Sequence, residues 1–304
     1  MKFDHLLCPV DFSEPSASAL RLAGALTTAL HSDLHVLHAQ RWELPPYFTV
    51  AQTRKLQGQL QKSEKAALKY LRAFVNEYLS EGTPRACLLV EDDPVSAILQ
   101  SLRNLGSDLI VMGTHGRTGW NRIRLGSVLE GVLRQTPVPV LAVGPGAGRS
   151  GQQAGIHQVL CPVSFDNLSS TTIKVAASLA QATGARLTVL HVVEADSVPG
   201  TALQAAEKQL CDWVAAETKG QCSTREVVRM GNAVEAIIRE AGKIQPDFVA
   251  IGASPKVSLG SRLFGTTTEA LIRSAPCPVL VVPAPGPGTE SISKERAAGK
   301  GSPS

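Results

Sequence analysis

The stretch LLCPVDFSEPSASAL, at residues 6–20, returns later in the chain as VLCPVSFDNLSSTTI, at residues 159–173. A second stretch repeats in the same way, because RQTPVPVLAV at 134–143 matches RSAPCPVLVV at 273–282. The copies are offset by 153 residues at the first stretch and by 139 at the second, so the first copy is longer in its middle by 14 residues. Such repetition indicates two copies of one folding unit.

Two stretches rich in glycine mark where the copies end. GPGAGRSGQQAG, which follows the first copy, is typical of a flexible linker. The residues after the second copy are rich in Gly, Ser, Pro and charge, which predicts disorder. We therefore divide the chain of 304 residues into a first domain at 1–144, a linker at 145–155, a second domain at 156–283 and a disordered tail at 284–304.

Each copy alternates short apolar runs with longer amphipathic segments. In the first copy the patterns predict strands at 5–10, 34–39, 86–90, 109–112 and 138–143, and helices at 13–29 (with Ser13 as N-cap), 55–79, 95–105 and 127–135. In the second copy they predict strands at 159–163, 187–192, 226–229, 249–251 and 279–282. Apolar strands that alternate with helices favour a parallel sheet covered on both faces. The predicted fold class is α/β, with two tandem doubly wound five-stranded parallel sheets.

The composition predicts a soluble, globular, cytosolic protein. The chain is 43% hydrophobic and 18% charged, has a net charge of +4, and contains no apolar run long enough to span a membrane. Its first residues do not resemble a secretory leader. We expect neither a nucleic acid nor a membrane as partner. The six cysteines form no C-x-x-C pair and are expected to be buried thiols, and His31, His35 and His38 are expected to be structural or solvent-facing.

Glycines follow the predicted fourth strand at a spacing suited to an anion. Gly113 and Gly116 are followed, after nine residues, by Gly126 and Ser127 at the start of a helix. The two loop glycines would let the backbone approach a ligand and adopt positive φ, and the helix N-terminus would suit a phosphate. His115 and Arg117 lie between the glycines, where their side chains would reach phosphate oxygens. The alternative is two loop glycines and a helix cap.

With this motif and the segment CPVDFS at the end of the first strand, the chain resembles the universal stress protein family in a tandem two-domain form. The resemblance covers both copies and implies Rossmann-like domains similar to the adenine nucleotide alpha hydrolases. It also implies ATP binding, with Mg²⁺ as companion of the phosphates. The residues implied to border adenosine are Pro9, Val10, Asp11 and, through its backbone, Ala39. Those implied to surround ribose and phosphates are Gly113, His115, Gly116, Arg117, Gly126, Ser127 and Val128. For Asp11 the alternative is a solvated acid at a strand end or a helix cap.

The second copy departs from this pattern at two positions. Ser164 stands where the first copy has Asp11, and Pro255 replaces the second loop glycine. Proline fixes φ and removes an N–H donor, so the phosphate cradle loses a hydrogen bond. Losing a charge-assisted contact costs about 1.5–3 kcal/mol, which weakens affinity about tenfold or more. We therefore expect the second domain to bind ATP poorly or not at all.

Two features of the sequence concern contacts with other proteins and between the two copies. The extra length of the first copy includes RWELPPYF at residues 41–48, an aromatic loop that could be a lid, a protein-binding surface or packing under a loop. In the resembled family the fifth strands pair in dimers, so residues 138–143 and 279–282 are expected to pair within this chain as a pseudo-dimer. Further homodimerisation is left open.

Three functions are compatible with the sequence. The first is a cytosolic stress-response protein that binds ATP in its first domain and changes partners or conformation with nucleotide state. The second is a weak ATP hydrolase, for which His115 and Asp11 are the nearby candidate groups although they form no recognisable catalytic pair. The third is a module that acts through protein contacts and no longer uses nucleotide.

Overall fold

The computed structural model of the chain describes residues 2–41, 50–80, 83, 85–116, 125–144, 155–193, 201–253 and 265–284, with backbone only for 50–61, 201 and 202. Within these ranges the first copy has strands β1 (His5–Pro9), β2 (Asp33–Gln40), β3 (Arg85–Glu91), β4 (Leu109–Gly113) and β5 (Val140–Val143). Its helices are α1 (Glu14–Leu30), α2 (Val50–Tyr78), α3 (Pro94–Leu105) and α4 (Ser127–Gln135). Most of the predicted linker and tail, and all but the first residue of the aromatic loop, lie outside the described residues.

The second copy has the same order of elements. Its strands are β6 (Gln158–Val163), β7 (Arg186–Val193), β8 (Thr224–Met230), β9 (Phe248–Ala253) and β10 (Val279–Pro283). Its helices are α5 (Asn167–Thr183), α6 (Thr201–Thr218), α7 (Ala233–Ile244) and α8 (Thr266–Ser274). The extra length of the first copy lies between its second and third strands, as the offsets predicted, since α2 has 29 residues and α6 has 18.

The strands form one ten-stranded sheet in the order β3-β2-β1-β4-β5-β10-β9-β6-β7-β8. Strands within each copy are parallel, and the winding direction of the first copy reverses between β1 and β4. The copies meet through β5 and β10, which pair antiparallel with Leu141 opposite Leu280. The predicted α/β fold and the predicted pairing of the two fifth strands are therefore confirmed.

The antiparallel junction determines where candidate sites lie. In open parallel sheets, ligands bind beyond the carboxyl ends of the strands, at the point where the winding reverses. Because β5 and β10 run in opposite directions, the strands of the two copies also run in opposite directions. The carboxyl ends of β1 and β4 therefore lie at one edge of the sheet, and those of β6 and β9 lie at the opposite edge.

Two apolar layers cover the sheet, one on each face. Alternate residues of a strand point to opposite faces, so Leu6 and Cys8 join one layer and Leu7 joins the other. Helices α1, α2, α5 and α6 pack on the first face, and α3, α4, α7 and α8 on the second. Each layer contains buried residues of both copies, and α1 contacts α5 across the junction.

Among the helices of the described residues, none has both the length and the apolar character that crossing a bilayer requires.

Element boundaries differ from prediction at the start of α2, which begins at Val50 rather than at residue 55, and at the fifth strand. β5 begins at Val140 rather than at residue 138. Pro137 and Pro139 have no N–H to contribute to a ladder, and the Val138 N–H donates to the Thr136 hydroxyl at 3.2 Å, in a turn. The start of α1 was predicted correctly, because the Ser13 side chain accepts a hydrogen bond from the Ser16 N–H and caps the helix.

Candidate functional site

A cavity of about 330 Å³ lies at the carboxyl ends of β1 and β4, and we call it the first cavity. Every predicted site residue that the structure describes lines it: Pro9, Val10, Asp11, Ala39, Gly113, His115, Gly116, Gly126, Ser127 and Val128. Arg117 lies outside the described residues. Sequence reasoning missed the remaining lining residues, which are Ser16, Leu37, Pro94, Ile98, Met112, Thr114 and Leu129.

The inner wall of the first cavity is apolar. Leu37 comes from β2, Met112 from β4, Ile98 from α3 and Leu129 from α4, and all four side chains are buried. Their burial follows from the apolar runs and helical spacing of the sequence, but only the strand order brings them together. A flat apolar group is the kind of ligand part that such a wall accepts.

Asp11 lies between the cavity and the start of α1. Its Oδ1 accepts hydrogen bonds from the Ser13 N–H at 3.1 Å and the Ser13 hydroxyl at 2.5 Å. Its Oδ2 faces Gly116, where a Cβ would approach to 2.6 Å. Asp11 therefore supports the helix cap, as the alternative interpretation held, and also lines the cavity.

The motif glycines are required by close packing rather than by backbone conformation. The expected positive φ is wrong for the two loop glycines, Gly113 and Gly116, and Gly126 has a φ of −61°. A Cβ at Gly113 would lie 3.0 Å from Pro15 in the first turn of α1, and a Cβ at Gly126 would lie 2.8 Å from the Thr114 carbonyl oxygen. Glycine thus lets α1, the loop after β4 and α4 approach one another around the cavity.

Thr114 connects the parts of this loop. Its N–H donates to the Val143 carbonyl, and its own carbonyl accepts the Gly126 N–H, each at 2.9 Å. Its hydroxyl oxygen lies 2.9 Å from His115 Nδ1, in hydrogen-bond contact. The Thr114 side chain is buried. A polar residue between Gly113 and His115 was the available sequence signal, but its three contacts depend on the folded loop.

The N-terminus of α4 opens on the first cavity. Its N-cap residue is Gly126, which offers no side-chain hydrogen bond to the first turn. The free N–H groups and the helix dipole together attract anions. Because Ser127 and Val128 begin the helix and line the cavity, this end of the cavity can hold a phosphate or carboxylate.

An aromatic pair supports the turn after β1. Phe12 has a φ of 65°, in the left-handed region, and its ring centroid lies 4.4 Å from that of His38. His38 Nδ1 donates to the Val10 carbonyl at 2.8 Å, because a carbonyl oxygen only accepts. The second copy repeats the arrangement with Phe165 and His191. His38 is therefore structural, one of the two predicted alternatives.

The second copy has its own cavity, of about 240 Å³, at the carboxyl ends of β6 and β9, and we call it the second cavity. Ser164 replaces Asp11 as predicted, but the acid has moved rather than disappeared. Asp166 occupies the place of Ser13, caps α5 by accepting the Ser169 N–H at 2.6 Å, and accepts the Ser164 hydroxyl at 3.0 Å. Pro255 lies outside the described residues.

The carboxylate of Asp166 is held in its charged form. Burial by itself would raise its pKa, but hydrogen bonds from Ser169 and Ser164 outweigh burial and keep the pKa below the ordinary value. This carboxylate therefore serves the helix cap, whereas Asp11 reaches toward the loop after β4.

The cysteines form no disulfide, and all six lie in the described residues. Cys8 and Cys161 are buried, as predicted, and burial raises the pKa of the Cys161 thiol to about 12 and that of Cys8 further still. Cys277 is also buried, and Cys87 and Cys222 are half-buried. The expectation of burial is wrong for Cys211, which is exposed.

Among the described residues, no His, Cys, Asp and Glu side chains cluster at metal-binding distance.

Fold and cavity together define a doubly wound α/β protein with a small-molecule cleft at the point where the sheet reverses. The model of the universal stress protein family matches residues 2–144 and 155–283, once for each copy. The chain therefore belongs to the universal stress protein family and contains two of its domains in tandem.

Individual relatives agree with this assignment. Universal stress protein MJ0531 of Methanocaldococcus jannaschii is 28% identical over 144 residues, which cover 46% of this chain and 82% of the relative. A universal stress protein of Thermus aquaticus is 32% identical over 147 residues, which cover 46% of this chain and 98% of the relative. The crystal structure of a universal stress protein from Archaeoglobus fulgidus has the same fold, with a TM-score of 0.65 at 22% identity, covering 94% of this chain and 100% of that one.

Proposed function

We propose that the protein binds ATP with Mg²⁺ in the first cavity and acts as a cytosolic stress-response regulator whose conformation or partners change with nucleotide state. The observation that carries the proposal is the convergence of three features on one cavity. These are the strand end at Asp11, the glycine loop at Gly113–Gly116 and the N-terminus of α4 at Gly126. A single anionic, partly apolar ligand would use all three.

The apolar wall supports an adenine at the inner end of the cavity. Leu37, Ile98 and Met112 would contact the faces of the base, and the backbone of Ala39 would meet its edge. The volume of about 330 Å³ is within the range of sites that bind small organic ligands. Asp11, which has a charged oxygen toward Gly116, would accept a hydrogen bond from a ligand hydroxyl or amine.

The outer end supports the phosphates. The first-turn N–H groups of α4 would donate to phosphate oxygens, and Ser127 would add a hydroxyl. Gly116 leaves the space beside Asp11 that a side chain would fill. Mg²⁺ prefers phosphate and water oxygens over all-protein cages, so the proposal assigns the ion to the nucleotide.

The test is calorimetry of the full chain with ATP and Mg²⁺, alongside a Gly116→Pro variant that gives the first copy the residue of the second. The proposal predicts about one ATP per chain for the native protein and none for the variant. Two ATP per chain, or unchanged binding by the variant, would contradict it. Phosphate release in the same samples separates a binding protein from a weak hydrolase. No binding at all would favour a module that works through protein contacts.

A further inference from the structure

The ten-stranded sheet ends in β3 on one side and in β8 on the other. An edge strand presents a row of N–H and C=O groups that can pair with a strand of another chain, unless charged side chains or bulges prevent it. β3 (Arg85–Glu91) and β8 (Thr224–Met230) are repeat equivalents, separated by the same offset of 139 residues that relates the fifth strands. Their side chains can therefore be compared position by position.

β8 is protected against pairing with a copy of itself. Three of its inner residues are charged, namely Arg225, Glu226 and Arg229. Nε and Nη2 of Arg229 lie 3.0 and 2.9 Å from the carboxylate of the buried Glu240, which fixes this guanidinium beside the strand. Antiparallel pairing about Val227 would place Arg225 of one chain opposite Arg229 of the other, and like charges directly opposite each other destabilise a sheet.

β3 lacks this protection. Its inner residues, ACLLV at 86–90, include no charged side chain. Ala86 is exposed and Leu88 and Leu89 are only half-buried. At the repeat positions of the two leucines, β8 has Val227 and Val228, which are buried. A further strand beside β3 would remove this apolar edge from water, which favours association.

The two ends of β3 differ in charge. At the first end, burial raises the pKa of the Cys87 thiol, and the nearby charges of Arg72 and Arg85 oppose this effect. The described hydrogen bonds of the Arg85 guanidinium go to uncharged groups, on Asn76, Ser80 and Thr83. At the other end, Glu91 lines a small cavity together with Asp92, Asp93 and Arg41. Three carboxylates and one guanidinium leave this end acidic.

We propose that β3 of one chain pairs antiparallel with β3 of a second copy of the chain, about a two-fold axis at Leu88. In this register Leu88 lies opposite Leu88, and Cys87 lies opposite Leu89 of the other chain. Arg85 then lies opposite Glu91 of the other chain, once on each side of the axis. Opposite charges in directly opposed positions stabilise an antiparallel pair. The inference does not depend on ATP binding.

The chain already contains a junction of this kind. β5 and β10 pair antiparallel inside the chain, with Leu141 opposite Leu280 at the centre of the contact. Pairing through β3 would join two ten-stranded sheets end to end and leave a β8 strand at each outer edge. Because a two-fold contact is closed and β8 repels its own copy, assembly should stop at two chains.

The first experiment is sedimentation velocity of the full chain over a series of concentrations. The proposal predicts a reversible equilibrium between monomer and dimer. A monomer at every concentration up to the solubility limit would overturn it. Oligomers that keep growing with concentration would also overturn it, because they would indicate head-to-tail contacts rather than a closed pair.

Charge variants test the proposed register. Glu91→Arg turns two attractive pairs into two repulsive ones, so the dissociation constant of the dimer should rise at least about fourfold. Adding Arg85→Glu to this variant reverses both charges and should restore the dimer. The matched control is Met230→Arg, at the exposed repeat position on β8, which should leave the dimer unchanged. Native dimerisation by the Glu91→Arg variant would overturn the proposal.

Cross-linking covers the case in which the doubly charged variant does not fold, which its thermal melt would reveal. Leu88→Cys would place two thiols on opposed residues, whose Cα atoms lie about 4.5–5.5 Å apart, within reach of a disulfide. Ala86→Cys is the control, because its two copies would lie about 14 Å apart along the strands although Ala86 is more exposed.

Mild oxidation should therefore give more covalent dimer with Leu88→Cys than with Ala86→Cys. The native chain under the same oxidation supplies the background, since its Cys211 is exposed. Equal or greater cross-linking by Ala86→Cys would overturn the proposed pairing.

Discussion

The two cavities lie among equivalent strands and helices of the two copies, yet they differ in the contacts that one carboxylate makes. In the first copy the order is Asp11-Phe12-Ser13, and in the second it is Ser164-Phe165-Asp166. The serine and the acid are hydrogen-bonded to each other in both. In the first copy the serine caps the helix and the acid reaches toward Gly116, and in the second the acid itself is the cap. An exchange of two residues thus keeps the helix start and changes the ligand-facing group.

The glycine loops differ in a second way. The loop of the first copy is closed by the hydrogen bond between Thr114 and Gly126, and Gly126 has no room for a side chain. The second copy has Ala253 in place of Thr114, and a Cβ at Gly265 would meet no atom of the described residues within 4 Å. Among the described residues, the close contact that requires glycine at 126 therefore has no counterpart at 265.

The largest expected effect comes from adding one methyl group at these equivalent glycines. Gly126→Ala places a Cβ against the Thr114 carbonyl oxygen, so the loop must move and ATP affinity should fall at least about tenfold, with a lower melting temperature. Gly265→Ala meets no atom of the described residues and should change neither property by more than the error of measurement. Calorimetry and thermal melts of both variants check this. Equal effects from the two variants would mean that the copies do not differ as described.

Exchanging the acid and the serine in the first copy separates capping from ligand binding. The double variant Asp11→Ser with Ser13→Asp should keep the free energy of unfolding within about 0.5 kcal/mol, because aspartate and serine cap helices about equally well. ATP affinity should fall about tenfold or more, since a hydrogen bond to a charged acceptor is lost. The control is the reverse exchange, Ser164→Asp with Asp166→Ser, which should leave ATP binding at the first cavity unchanged. Native ATP affinity in the first double variant would show that Asp11 does not contribute to ATP binding.

The substitution Thr114→Val removes the hydroxyl that contacts His115 and keeps the side-chain volume nearly constant. The variant loses a hydrogen bond worth about 1 kcal/mol, so ATP affinity should fall about fivefold. Thr114→Ser keeps the hydroxyl and should bind like the native protein. The ¹⁵N shifts of the His115 ring should change in the valine variant and not in the serine variant. A valine variant with native affinity and native ring shifts would show that this contact has no role.

The smallest expected effect concerns the edge of the sheet at which the strands of the first copy begin. Burial and the neighbouring His5 lower the pKa of His35 below 6.5, against the opposing effect of Asp33. The unfolded chain then binds more protons than the folded one, so the free energy of unfolding should fall as the pH drops below about 6.5, until the folded-state pKa is passed. The second copy has Thr188 at this place, hydrogen-bonded to Gln158.

The size of this pH dependence should be on the order of a few tenths of a kcal/mol, because His35 is partly exposed. His35→Thr should flatten the dependence between pH 7 and pH 5, as measured by urea unfolding at several pH values. An identical slope in the variant would assign the pH dependence to other groups.

The sequence was sufficient for the fold because the repeat, the apolar strands and the helical stripes all indicate the same α/β unit. It was also sufficient for most of the first cavity, since Asp11 and the motif glycines end strands or begin helices, and parallel topology brings those ends together. It did not reveal why the glycines are needed, because the atoms that a Cβ would meet, at Pro15, Asp11 and Thr114, are distant in sequence or depend on the loop. The sequence shows an acid, Asp166, at the repeat position of Ser13, but only the structure shows that this acid caps α5.

We propose that the first cavity binds ATP and that the second cavity does not. The most direct measurement is a crystal structure of the full chain grown with ATP and Mg²⁺. We expect nucleotide density in the first cavity, with the phosphates at the N-terminus of α4 and the base against Met112, and no ATP in the second cavity. ATP in both cavities, or in the second alone, would contradict it.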